Sequence, residues 1–271
     1  MPKKKMKSNQ QANSGNRKRF AKTLPQPSWT GSNKDTINQH RAYRWICDQD
    51  DRCSPYFEDD FTENINWRIF RIMSEFVEGF EFLSQLHREV TFFGSARLSP
   101  RNKYYKMARD LAALCAKEKY TVITGGGPGI MEAANRGAFE EGGESVGLNI
   151  SLTEEQRKNK YVKKSKGFHY FFTRKVMLSA SAQAYVFFPG GFGTLDELFE
   201  VVTLIQTGKM SSDVPVILVG SDFWEPLLNW IKHELRDKHE TIGKEDISIL
   251  RLCDSPKAAM NIINATSERV L

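Results

Sequence analysis

Ala184-Tyr-Val-Phe-Phe-Pro-Gly-Gly-Phe-Gly-Thr-Leu-Asp-Glu-Leu-Phe-Glu200 is the stretch whose reading decides the fold. The apolar run Ala184–Phe188 predicts a buried strand, Pro189–Gly193 a glycine turn, and the residues from Thr194 a helix. Gly190, Gly191 and Gly193 lack a Cβ, so the backbone there can approach a ligand closely. The N–H groups that open a helix have no partner within it and favour an anion such as phosphate. A second stretch repeats the plan: the strand Tyr120–Thr124 runs into Gly125-Gly-Gly-Pro-Gly-Ile-Met131. Two such loops in one chain point to a phosphorylated ligand, and a nucleotide fits that description.

The same alternation extends outward from both loops. Strands are expected at Val90–Phe93, ending in Gly94-Ser95, and at Glu144–Leu148 and Pro215–Val219. Helices are expected at Lys103–Lys117, Gly129–Glu141, Phe172–Ala182, Thr194–Thr207 and Phe223–Leu235. Repeated strand–helix units mean a parallel sheet covered on both faces. Ligands bind such sheets at the carboxyl ends of the strands, where both glycine loops and Gly94-Ser95 fall. Ahead of the first strand, Ile65, Ile69, Ile72, Phe76, Phe80 and Leu83 recur at helical spacing, with a second stripe at Phe70, Met73 and Val77. A helix apolar on two sides is expected to be sandwiched, against the sheet and either the N-terminal segment or another subunit. Residues 35–60 read as short helices or a wrapping segment, and the polar, Lys-rich 151–167 as a mobile loop. The expected organisation is a disordered basic tail at 1–34, a helical extension at 35–87 and an α/β domain at 88–271.

Composition removes several function classes. A chain of 271 residues with 40% hydrophobic content can bury one large core. No run of 18 or more apolar residues occurs, and the N-terminus, Met1-Pro-Lys-Lys-Lys-Met-Lys7, lacks the apolar segment of a secretory signal. Cys47, Cys53, Cys115 and Cys253 are few and scattered, which fits a reducing, cytoplasmic setting and gives no metal-ligand spacing. Residues 1–30 carry eight Lys/Arg and no Asp/Glu, so the remainder is net −2 within a chain of +6. The basic tail reads as a solvated arm. Weak polyanion contact is the sharper reading, but no aromatics interleave the basic cluster, and nucleic acid is not expected as a partner.

Among the candidates for chemistry, Thr194-Leu-Asp-Glu197 has the spacing of a capping box, in which Thr194 caps the helix and Glu197 reaches back. Glu197 can equally be an ionised carboxylate at the cleft, suited to a cationic sugar transition state or to orienting water. Spacing leaves both open. Arg174-Lys175 places positive charge at a helix start, where it is mildly unfavourable unless a ligand needs it. His169, set among Phe168, Tyr170, Phe171 and Phe172, reads as a packed histidine, and Asp222 as a helix cap. The loop at 124–131 is neither a strict dinucleotide fingerprint nor a P-loop.

Arg174-Lys175, Pro189-Gly-Gly-Phe-Gly-Thr-Leu-Asp-Glu197 and Gly125-Gly-Gly-Pro-Gly-Ile-Met131 together resemble the LONELY GUY family. These are cytokinin riboside 5′-monophosphate phosphoribohydrolases, many long mislabelled as lysine decarboxylases. The resemblance runs from about Val90 to Trp230, and the helix at 65–86 with the Phe93–Arg97 turn looks like a longer bacterial branch. It implies a Rossmann-like, doubly wound sheet, a homodimer or an assembly of dimers, and hydrolysis of a nucleoside 5′-monophosphate to free base and ribose 5-phosphate. It implies that Arg174 and Glu197 are catalytic and that Gly126, Gly127, Gly129, Gly191, Gly193 and Thr194 hold phosphate. Gly94, Ser95, Met131, Lys175 and Gly190 complete the expected substrate-binding set, with no metal or cofactor. Plant-type members carry Met-His-Glu where this chain has Phe171-Phe172-Thr173, so AMP or another ordinary nucleotide stands beside a prenylated one as substrate. The rival reading is a non-catalytic nucleotide carrier using the same cleft.

Overall fold

The computed structural model describes residues 44–47, 53–56, 65–150 and 158–269; the tail at 1–34 lies outside them. The chain divides into two units, at Thr62 and Glu63. In the first, β1 (Arg44–Cys47) and β2 (Cys53–Tyr56) form an antiparallel ladder, from Arg44 opposite Tyr56 to Cys47 opposite Cys53. Short helices were expected here; a ladder draws its hydrogen bonds from a partner strand, which helical spacing does not report.

The second unit holds a seven-stranded sheet in the order β6-β5-β4-β3-β7-β8-β9. Its strands are β3 (Glu89–Phe93), β4 (Thr121–Thr124), β5 (Ser145–Ile150), β6 (Lys164–Phe168), β7 (Ala184–Phe187), β8 (Val216–Val219) and β9 (Leu250–Cys253), paired in parallel throughout. The helices are α1 (Ile65–Ser84), α2 (Lys103–Lys117), α3 (Ile130–Glu140), α4 (Phe171–Ser179), α5 (Phe192–Gln206), α6 (Ser221–Trp230) and α7 (Pro256–Asn264). Residues of β3, β4, β7 and β8 are buried throughout, because helices cover both faces. One core joins α2, α3 and α7 to the sheet through residues such as Leu111, Ile130 and Met260. The other joins α1, α4, α5 and α6 through Leu83, Met177, Leu198 and Trp224. This is the doubly wound, Rossmann-like architecture. The chain leaves β3 for β4, β5 and β6, then returns to β7 on the other side of β3. That reversal opens a crevice at the carboxyl ends of β3 and β7.

Two expectations are corrected, two elements are added and the buried side of α1 is resolved. The Lys-rich segment contains β6: an edge strand has one neighbour only, so Lys164 can extend to the surface and Lys166 can pair with Glu78 of α1 without breaking the ladder. The C-terminal β9 and α7 had not been read, although Ser255, whose hydroxyl accepts from Ala258 N, and Pro256 mark a helix start. On α1 the buried side is carried by Ile72, Phe76, Gly79 and Leu83, whereas Ile65, Ile69, Phe70, Met73 and Val77 are exposed. Periodicity gives the helix, and the structure gives which side of it meets the sheet layer. Asp222 is not a cap: α6 follows Gly220, and Asp222 instead accepts from Lys103 at 2.6 Å and from the Tyr104 hydroxyl.

Candidate active site

Three loops meet at the crevice: Gly94-Ser95 after β3, Gly125–Gly129 after β4 and Pro189–Gly191 after β7. Ser95 ties them together. Its N–H donates to the Pro189 carbonyl and its carbonyl accepts from Ile130 N, each at 3.0 Å. A Cβ at Gly94 would run into the Ile130 side chain, so Gly94 lets the start of α3 settle against β3.

The loop after β4 is filled by its own chain. Gly126 N donates to the Thr124 hydroxyl at 2.9 Å, and that hydroxyl donates to Asn135 Oδ1 at 2.6 Å. Asn135 is fully buried on α3 and donates onward to Ser145 Oγ at 2.9 Å and the Val146 carbonyl at 3.2 Å. Asn159 closes the other side: its backbone N donates to Gly126 O at 2.9 Å, and its Nδ2 to Gly127 O at 3.0 Å and Asn135 Oδ1 at 2.9 Å. Gly126 and Gly129 have φ of +72° and +69°, where a side chain is strained. The Cβ space at Gly126 is taken by Asn149, and at Gly129 by the backbone of Ser95 and Ala96. Met131 folds back over the loop, its methyl 2.7 Å from where a Cβ at Gly127 would sit. Sequence reasoning missed Asn135, Asn149 and Asn159. Asn135 alone left a signal, as a polar residue among the alanines of α3's buried face.

The loop after β7 is the opposite case. Thr194 fills the space over Gly190, but nothing lies within 4 Å of a Cβ at Gly191 or Gly193. Helix α5 begins at Phe192, two residues earlier than expected, and no side chain caps it. The predicted capping box is therefore absent. Thr194 is the third residue of the helix, and Glu197 stands a full turn further along, where its carboxylate cannot return to the first N–H groups. Thr194 N and Leu195 N both donate to Gly191 O at 3.0 Å, and the positive end of the helix dipole follows the carboxyl end of β7.

Arg174 on α4 and Glu197 on α5 approach from one side. Arg174 reaches the first glycine loop, its Nη1 4.0 Å from the Cβ position of Gly125. Its Nε is buried without a hydrogen-bond partner, and so is Oε2 of Glu197, which is only 7% exposed. No direct ion pair joins the two side chains. Burial pushes the Glu197 carboxyl up to about 7; Lys175 and Arg174 pull it down, and Glu200 and Asp196 push it up. Burial likewise pulls the Arg174 guanidinium below its ordinary range, and Glu197 opposes this. Lys175 faces along α5 instead, with its ammonium 2.6 Å from Asp196 and 3.0 Å from Glu200. His169 stacks edge-on against Tyr170 at 4.8 Å. Among the described residues, no three His, Cys, Asp or Glu side chains gather as a metal site requires.

Helix-opening glycine loops thus lie at the switch point of a parallel α/β fold, with Arg174 and Glu197 beside them, each holding one buried polar atom without a partner. Residues 131–263 match the family model described as possible lysine decarboxylase. The chain is 26% identical over 196 residues to a probable cytokinin riboside 5′-monophosphate phosphoribohydrolase, LOGL6, of Oryza sativa subsp. japonica, covering 71% of this chain and 77% of that protein. It is 28% identical over 149 residues to a cytokinin riboside 5′-monophosphate phosphoribohydrolase of Rhodococcoides fascians, covering 54% and 75%. By these matches the chain is similar to proteins of the LONELY GUY family. A solved molybdenum cofactor carrier protein from Chlamydomonas reinhardtii is 17% identical with a TM-score of 0.48, over 65% of this chain and 95% of that one.

Proposed function

We propose that this protein is a hydrolase that cleaves the N-glycosidic bond of a nucleoside 5′-monophosphate, releasing free base and ribose 5-phosphate. One observation carries the reading. Arg174 and Glu197 are brought together beside the phosphate-type loops, each with a buried polar atom lacking a partner. An unsatisfied buried atom costs about 1–3 kcal/mol, which a fold retains where a ligand will satisfy it. The names of the curated relatives support the same chemistry.

In this reading the phosphate sits against the open glycines Gly191 and Gly193 and the uncapped start of α5. The C1′–N bond breaks with its electron pair going to the base, and positive charge develops on the ribose ring. The Glu197 carboxylate stabilises that charge and orients a water. The water oxygen bonds to C1′; one of its protons stays on the new hydroxyl and the other reaches the base. With its carboxyl held near 7, Glu197 can carry that proton at neutral pH. Arg174 holds the ribose phosphate or assists departure of the base. Lys175 steadies α5 through Asp196 and Glu200 and so acts at one remove from the substrate. The apolar side chains exposed on α1, α4 and α5, among them Trp67, Phe171 and Phe192, support a homodimer.

The test is to incubate the protein with AMP, GMP, CMP, UMP and a prenylated AMP and to separate free base by chromatography. Release that is lost in Glu197→Gln is expected. Nucleotide binding by calorimetry with no base released from any of the five would refute the hydrolase.

A further inference from the structure

Helix α4 carries Arg174 but supplies no cap of its own: its N-cap residue is Tyr170, and no side chain of α4 serves the first turn. The cap comes from α1. Glu75 Oε1 accepts from His169 N at 2.7 Å, and Oε2 accepts from Tyr170 N at 3.3 Å and from the Thr173 hydroxyl at 2.6 Å. The Thr173 hydroxyl shares its proton with the Tyr170 carbonyl at 2.8 Å, and Arg174 N donates to that same carbonyl at 3.3 Å. One carboxylate thus gathers the three groups that open α4, directly before Arg174.

Further contacts on the same side of α1 hold it there. Gly79, one turn after Glu75, lies so close to α4 that a Cβ would come within 2.6 Å of Met177 Sδ. The Arg68 guanidinium stands 5.8 Å over the Tyr170 ring. Arg68, Glu75 and Gly79 are spaced for one face of a helix. A carboxylate is also the charge that a helix N-terminus favours.

We propose that Glu75 is a positioning residue for the hydrolysis: by capping α4 from α1 it fixes where Arg174 meets the glycine loops. The inference rests on the hydrolase reading for its activity readout. It makes α1 part of the site's architecture, although no residue of α1 enters the crevice. A displacement of about 1 Å at a catalytic group can cost on the order of a hundredfold in rate, so a lost cap should register in turnover.

A double-mutant cycle in the full chain tests this, using the nucleotide that the wild type turns over best. Glu75→Ala is expected to lower kcat/KM about tenfold or more in the wild-type background, and less than about twofold on an Arg174→Ala background. Glu75→Gln, which keeps an accepting oxygen, should recover most of the loss. Equal losses in both backgrounds, or none in either, overturn the proposal. If Glu75→Ala does not fold, Glu75→Leu, which keeps the bulk and accepts no hydrogen bond, carries the same cycle. If the wild type releases no base, the hydrolase reading falls and amide hydrogen exchange over residues 169–178 decides the positioning role. Faster exchange in Glu75→Ala than in Glu78→Ala upholds it, and equal exchange overturns it.

Discussion

The two glycine loops look alike in sequence and are physically opposite. In the loop after β4 the glycines are required by the protein itself: Asn149 crowds Gly126, the backbone of Ser95 and Ala96 crowds Gly129, and the Thr124–Asn135–Asn159 network fixes the backbone. In the loop after β7, Gly191 and Gly193 face empty space, the helix behind them is uncapped, and a buried carboxylate is left unpaired. The first loop is closed by its own chain, and the second leaves space over Gly191 and Gly193, which in the proposed function receives the phosphate. A glycine-rich motif is thus not one signal but two, separable only by what surrounds each Cα.

The comparison is sharpened most by Glu197→Gln. Base release should fall on the order of a thousandfold, while the protein becomes more stable at high pH. The sign follows from the raised carboxyl. The folded state holds the proton up to about pH 7, whereas the unfolded chain releases it near the ordinary value of 4.5. The contribution of Glu197 to stability is therefore fully present below pH 4.5 and is lost as pH rises through 7. The variant should gain roughly 2–3 kcal/mol over wild type at pH 8 and nothing at pH 4, as read by denaturant unfolding. Turnover that depends on the ionised carboxylate should rise between pH 6 and 8 in the wild type.

Gly129→Ala strikes the filled loop. With φ at +69° and backbone atoms in the Cβ space, it should cost about 3 kcal/mol or more of stability. Asn135→Ala leaves the buried Thr124 hydroxyl without its acceptor and removes one of the acceptors of Asn159 Nδ2, and should cost about 2–3 kcal/mol in the same assay. Gly193→Ala probes the open loop and gives the smallest effect on folding, with the opposite sign. Alanine in the first turn of α5 should leave the melting temperature unchanged or raise it by a few degrees. It should raise the KM for nucleotide about tenfold, since the new methyl group enters the space left for phosphate. A fall in melting temperature with KM unchanged would erase the distinction between the loops.

The parallel sheet and the positions of both glycine loops were legible in the residues. Buried central strands must be continuous apolar runs, and helix-opening glycines have few substitutes. What remained illegible was set by contacts distant in sequence. The edge strand Lys164–Phe168 is recognisable only from β5 beside it. Glu197 has the spacing of a capping box until α5 is seen to begin at Phe192. Asn135, Asn149 and Asn159 are dispersed in the chain and converge on one loop.

By itself, then, the sequence determined the layered architecture and the identity of the loops, because local backbone preference and apolar periodicity are properties of neighbouring residues. Only the tertiary structure decided which glycines are filled and which are open, which face of α1 is buried and which carboxylate caps α4. Each of these depends on whether an atom from far along the chain occupies a given space, and no local pattern encodes that.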